Sequence, residues 1–142
     1  MSKTRITLFA ALVTLAAVPP ARLLAGDKTV PAGPRVIDVT ADQDNRFKVP
    51  KQKDPVNTMK VNEVAVLRIT SRKGGEWDEK DGAVHTFTIN ALKDKGWNFR
   101  LKEGTQKFPV VAPPEPGEYL VECTVKCGKG HDDMRMKLIV TR

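Results

Sequence analysis

The sequence is poor in the residues on which several classes of protein depend. Only two of its 142 residues are cysteine and two are histidine, which excludes a scaffold built on many disulfides. Its longest apolar run, residues 6–18, is shorter than the roughly 18–20 apolar residues that a membrane-crossing helix needs. We therefore expect no stable membrane span. A chain of this length indicates one domain, and it is too short for a barrel enzyme of about 200 residues or more.

The motifs of common enzyme classes are missing as well. There is no Ser-His-Asp arrangement, no glycine loop that would cradle a phosphate and no carboxylate pair in a catalytic context. The 24 basic residues are interspersed with 17 acidic ones and form no basic run, so we do not expect nucleic-acid binding. The sequence indicates a small protein that is not an enzyme.

The amino-terminal segment has the features of an export signal. Lys3 and Arg5 precede the apolar run, and Pro19-Pro20 and small residues up to Ala25 follow it. We predict a signal peptide over residues 1–25, with an uncleaved anchor as the alternative. Its removal would take away three basic residues and lower the formal net charge from +7 to about +4.

The mature chain would then begin with a loose leader over residues 26–34, which contains two prolines and two glycines. A single domain would follow over residues 35–142. Since a cleaved signal peptide directs export, we expect the protein to be periplasmic or otherwise exported.

The domain shows the patterning of short strands and no convincing helical periodicity. Residues 113–117 carry three prolines and a glycine and are typical of a corner between strands. Five segments fit strands: Arg35–Thr40, Val61–Thr70, Val84–Ile89, Glu118–Cys123 and Met134–Val140. The composition of the third predicts a half-buried strand. Many short strands with proline and glycine corners indicate an all-β fold, and we expect an antiparallel sandwich or barrel.

Most of the metal-binding side chains lie in one short stretch. Cys123, Cys127, His131 and Met134 fall within twelve residues, on an irregular segment between two predicted strands. The second histidine, His85, is near the start of another predicted strand. Thiolate and thioether sulfurs favour copper, and imidazole suits copper or zinc, whereas calcium and magnesium need oxygen ligands. The sequence predicts a site for a soft metal ion.

The motif Cys-x3-Cys-Gly-x2-His-x2-Met, preceded by Pro-Gly-Glu-Tyr-x3-Cys and an upstream histidine, resembles the dinuclear copper A domain. That domain occurs in cytochrome c oxidase subunit II and in nitrous oxide reductase. The resemblance is most specific from His85 to Met134. It implies a cupredoxin fold, a Greek-key β-sandwich or barrel, and a function in one-electron transfer to or from a partner such as a cytochrome or a terminal oxidase or reductase.

The resemblance also implies a role for each ligand. Cys123 and Cys127 would bridge two copper ions, and His85 and His131 would each bind one of them. Met134 would be a weak ligand of one copper, and the backbone carbonyl of Val125 would be a weak ligand of the other.

Two departures from the family bear on this expectation. Val125 stands where the family usually has glutamate or tryptophan; a carbonyl ligand survives that change, but a second metal contact through a glutamate side chain does not. The sequence also lacks the two membrane helices that usually precede this domain in subunit II. We therefore expect a free-standing exported protein and not an oxidase subunit.

The residues alone leave other sites open. Cys123 and Cys127 could form a disulfide, which is common in exported proteins. The two cysteines and two histidines could bind zinc. The same ligands could serve a cupredoxin with one copper, or a periplasmic copper chaperone or storage protein.

Overall fold

A computed structural model of the chain describes residues 33–142. The predicted signal peptide and most of the predicted leader lie outside the described residues. Nine strands and two short 3-10 helices, Asn90–Lys95 and His131–Asp133, make up the described part. The strands are β1 Arg35–Ala41, β2 Phe47–Lys48, β3 Val56–Lys60, β4 Val64–Ser71, β5 His85–Thr88, β6 Asn98–Leu101, β7 Gly104–Val111, β8 Gly117–Glu122 and β9 Arg135–Thr141. In residues 33–142, no helix is long and apolar enough to cross a membrane.

The strands form two sheets that enclose one apolar core. The first sheet has the order β2-β1-β4-β7, and the second has the order β3-β9-β8-β5-β6. Alternate residues of the long strands point inward, as β4 shows: Ala65, Leu67 and Ile69 are buried, and the residues between them are half-buried or exposed. Phe87 of β5 lies in the core between the two sheets and contacts Phe47 edge-on. The expected all-β sandwich is confirmed.

The corner over residues 113–117 is confirmed, and a side chain pins it. The Tyr119 hydroxyl donates a hydrogen bond of 2.8 Å to the carbonyl of Glu115. This bond ties the corner to β8, the strand that follows it. β8 ends at Glu122, directly before Cys123.

Two sequence expectations were wrong. The sheets are mixed and not antiparallel, because β1 pairs in parallel with β4 and β3 in parallel with β9. Such pairings join segments far apart in the chain, and the residue pattern of one strand carries no mark of its partner's direction. β5 is fully buried and not half-buried. Its outward threonines are covered because they hydrogen-bond to Thr124 and Asn98.

Several elements were not predicted. β3 and β6 are short, with five and four residues, and have little periodicity to detect. β7 contains Pro109, and proline is disfavoured inside strands because it cannot donate to the sheet; it is tolerated here because β7 lies at the edge of its sheet.

Candidate metal centre

Three loops meet at one end of the sandwich. They are residues 42–46 between β1 and β2, residues 72–84 between β4 and β5, and residues 123–134 between β8 and β9, which we call the ligand loop. The Glu76 amide donates to the Cys127 carbonyl at 3.2 Å, and the Asn45 side-chain amide donates to the Lys129 carbonyl at 2.8 Å. The ligand loop is therefore held from both sides by its neighbours.

The ligand loop closes on itself through its own backbone. The Cys123 amide donates to the Met134 carbonyl at 3.2 Å, and the His131 amide donates to the Gly128 carbonyl at the same distance. Gly128 and Gly130 have φ values of +117° and +98°, in the left-handed region that glycine adopts without strain. These turns bring residues from both ends of the loop to one place.

All six residues named from the sequence come together there. The Cys123 and Cys127 sulfurs are 3.8 Å apart, and Cys127 Sγ lies 3.5 Å from His131 Nδ1 and 3.9 Å from Met134 Sδ. Cys123 Sγ is 3.3 Å from the Val125 carbonyl oxygen. Ligand atoms of His85, Cys123 and Cys127 all lie within 4.8 Å of one another. Both cysteines are free thiols in this structure.

One nitrogen of His85 is left without a partner. Its Nε2 is 2.9 Å from the Arg72 carbonyl, which can only accept, so the hydrogen is on Nε2. Its Nδ1 is buried and bonds to none of the described residues. Metal-binding histidines usually donate their other ring N–H to a carbonyl or carboxylate, and His85 has that arrangement.

The cysteine pair shares its charge unequally. The hydrogen bond with Cys127 lowers the pKa of Cys123 to about 3, with further help from the Thr86 amide, although burial acts in the opposite direction. The Cys123 sulfur in turn raises the pKa of Cys127, and burial adds to that effect. The pair therefore favours one thiolate and one thiol, and a metal ion would displace the remaining proton.

Most of the site is shielded from solvent. His85, Cys127 and Met134 are 0% exposed and Cys123 is 6% exposed, whereas His131 is half-buried at the surface. A polar cleft lined by Glu122, Asp132 and Arg135 borders the His131 side. Of the two histidines, His131 is therefore the one that reaches solvent.

Two neighbouring side chains were missed by the sequence reasoning. Thr86 accepts a hydrogen bond from the Thr124 amide at 2.7 Å, and its own amide donates to Cys123 Sγ at 3.4 Å. Asn45 holds the ligand loop from the β1–β2 turn. Neither contact could be found by spacing, because each joins segments that lie far apart in the sequence.

These residues fit a copper ion. Three sulfurs and two imidazoles are the soft donor set that copper prefers among the common metals. Two sulfurs bound at about 2.3 Å to one tetrahedral ion lie about 3.8 Å apart, which is the separation found here. The unpartnered Nδ1 of His85 supplies a ready nitrogen donor.

Comparison with known proteins bears on the fold. No protein-family model matches the sequence, and no curated protein sequence matches it. The chain is similar in structure to a chain of a heme-copper terminal oxidase dimer, with 20% sequence identity, a TM-score of 0.54, and coverage of 88% of this chain and 77% of that one. It is also similar to the periplasmic domain of subunit II of cytochrome oxidase from Bradyrhizobium japonicum, with 18% identity, a TM-score of 0.54, and coverage of 76% and 84%. The chain therefore has a cupredoxin fold like that of the periplasmic domain of cytochrome oxidase subunit II.

Proposed function

We propose that this protein binds two copper ions in a copper A-like centre and transfers single electrons. Cys123 and Cys127 would bridge the ions, and His85 and His131 would bind one each. Met134 and the Val125 carbonyl would be weak ligands. The observation that carries the proposal is the convergence of all these donors at one buried place, with His85 Nδ1 left unpartnered.

The position of His131 supports two ions over one. A single tetrahedral zinc ion would bring all four cysteine and histidine donors within about 4 Å of one another. The ligand atoms of His85 and both cysteines lie within 4.8 Å of one another, whereas His131 is not part of that group and its Nδ1 lies 3.5 Å from Cys127 Sγ. This arrangement supports one imidazole for each of two ions. The Cys123 and Cys127 sulfurs, 3.8 Å apart, are also close enough to form a disulfide on oxidation, and the experiment below tests that alternative.

The surroundings suit an electron carrier. Bound copper would supply a reversible one-electron couple. The chain's own part would be to hold the ligands still and exclude water, and His85, Cys127 and Met134 are already 0% exposed. Every donor is already directed at the site, so no side is reserved for a substrate. Half-buried His131 would carry electrons between the site and a partner's surface.

Export and a redox partner follow from the same proposal. The oxidase domain of Bradyrhizobium japonicum with the same fold is a periplasmic domain. Together with the charged and apolar pattern of residues 1–25, this supports a periplasmic protein that exchanges electrons with a cytochrome or a terminal oxidase or reductase.

Copper loading of the reduced chain tests the proposal. We expect two coppers per chain by metal analysis, and an electron paramagnetic resonance spectrum in which one unpaired electron is shared by both nuclei. A Met134→Leu variant should change that spectrum, whereas Met136→Leu, its buried neighbour in β9, should leave it unchanged.

Three results would contradict the proposal. One copper with a localised signal would indicate a mononuclear cupredoxin. An unreactive thiol pair that binds no copper would indicate a disulfide. Copper(I) that passes to a competing chelator faster than electrons pass to a soluble cytochrome would favour a copper chaperone or storage protein.

A further inference from the structure

We propose that Asn45 is a positioning residue that holds the ligand loop in its metal-binding shape. The inference rests on the proposed function, since it concerns the same site. Among the described residues, the Asn45 side chain makes no hydrogen bond to a ligand residue. It acts through the backbone of Lys129, which lies between Cys127 and His131.

The Asn45 side chain is built into the protein and not merely near the loop. It is 3% exposed, and its Nδ2 donates to the Lys129 carbonyl at 2.8 Å. Within the described residues its Oδ1 has no hydrogen-bond partner. The bond to the Lys129 carbonyl is therefore the one hydrogen bond that the side-chain amide makes there. A buried side-chain amide whose oxygen has no partner contributes little net stability, so the main effect of this side chain is its tie to the ligand loop.

Glycines on both neighbouring loops leave room for this side chain. A Cβ on Gly74 would lie 2.1 Å from Asn45 Oδ1, which is far inside van der Waals contact. A Cβ on Gly128 would lie 3.3 Å from Asn45 Nδ2, and one on Gly130 would lie 3.4 Å from the Asp44 carbonyl. The asparagine thus fills a gap between the β4–β5 loop and the ligand loop that only small residues permit.

The turn that carries Asn45 is itself fixed. Asn45 adopts a left-handed φ of 55°, and its backbone N–H donates to the Asp42 carbonyl at 3.0 Å. The Asp42 carboxylate is in turn bound by Lys48 at 2.6 Å and by Arg72 at 3.2 Å. The turn is thus held in place by its own bonds, and the Asn45 side chain connects it to the ligand loop.

Removal of the side chain should loosen the site without unfolding the protein. Asn45→Gly keeps the left-handed backbone and removes the side chain that donates to the Lys129 carbonyl. Loss of a residue that orients metal ligands typically costs 10–100-fold in metal affinity. We expect copper to be lost to a chelator roughly 10–100-fold more readily, with a shifted copper spectrum.

Asn62→Gly is the matched control. Asn62 has a nearly identical φ of 56°, but it is exposed and lies between β3 and β4, outside the three loops. Both variants replace a left-handed asparagine with glycine, so both carry the same backbone effect. Only Asn45→Gly should change copper retention and the spectrum.

A double-mutant cycle tests the mechanism. Gly74→Ala should displace the Asn45 side chain and reproduce the copper loss of Asn45→Gly. In the Asn45→Gly background, the same Gly74→Ala change should have little further effect because the clash is gone. Additive effects, or equal copper retention in the Asn45 and Asn62 variants, would overturn the proposal.

Amide hydrogen exchange of the copper-free full chain separates this proposal from the proposed function. Asn45→Gly should raise exchange in residues 127–133 by about tenfold or more, as expected for loss of a tie of this strength, and Asn62→Gly should not. If the wild-type protein binds no copper but this difference is seen, the proposed function fails and the positioning role stands. If exchange is unchanged in Asn45→Gly, the positioning role is wrong whatever the metal.

Discussion

Thr86→Val should weaken both the domain and the metal centre through a single hydroxyl. Thr86 is 0% exposed, and its Oγ1 accepts from the Thr124 amide at 2.7 Å and pairs with the Thr124 hydroxyl at 3.0 Å. Valine has the same shape without the hydroxyl. The change therefore removes a tie to the residue next to Cys123 and leaves the backbone bond from Thr86 to the Cys123 sulfur in place.

The size of the effect follows from what is left unpaired. A hydrogen bond contributes about 0.5–1.5 kcal/mol net, and a buried group without its partner costs about 1–3 kcal/mol. Thr124 is exposed at its side chain and its amide is only partly buried, so we expect a loss of about 1–2 kcal/mol. For a domain of this size that corresponds to a fall in Tm of roughly 5–10 °C.

Thr88→Val is the matched control for this experiment. Thr88 lies on the same strand, is also 0% exposed, and donates to the Asn98 side chain at 2.8 Å. Asn98 is half-buried, so water can replace the lost bond and the cost should be at most about 1 kcal/mol. Urea unfolding of the copper-free chains measures both losses, and the absorption and paramagnetic resonance spectra report the copper site. The reasoning is refuted if Thr86→Val costs less than Thr88→Val, or if the two variants have the same copper spectrum.

Three further predictions concern the site and the domain. Cys127→Ser should abolish the two-copper signal because a serine hydroxyl is a hard donor that stays protonated near neutral pH and cannot replace a soft thiolate, and an unchanged spectrum would argue against bridging. Phe87→Ala should lower the free energy of unfolding by about 3–5 kcal/mol because it empties the centre of the core, as urea unfolding would measure; a loss below 1 kcal/mol would contradict this packing. Arg100 lowers the pKa of Asp81 to about 2, so folding gains stability above the usual carboxylate pKa of about 3.9 and loses that gain as pH falls towards 2. The deficit in Tm of Arg100→Met relative to wild type should therefore be larger at pH 7 than at pH 2.5, and an equal deficit at both would show that the ion pair is not the cause.

The strand segments that were predicted from sequence share one property. In β4 and β9 the side chains alternate between core and surface, so local periodicity reports their burial directly. β3, β6 and β7 lack that signal because they are short or contain a proline. The parallel pairing of β1 with β4 was also out of reach, since pairing is a property of two segments and periodicity is a property of one.

For the candidate metal centre, too, local pattern predicted one part and tertiary packing determined the rest. The sequence by itself determined the ligand loop, because Cys123, Cys127, His131 and Met134 lie within twelve residues and a short chain can bring them together by local turns. It also indicated His85, as the only other histidine. Only the tertiary structure decided which nitrogen of His85 is free, through the Arg72 carbonyl, and that Thr86 and Asn45 brace the loop. Those contacts join strands and turns up to 84 residues apart, and side-chain partners at such separations are chosen by the packing of the whole sandwich and not by local pattern.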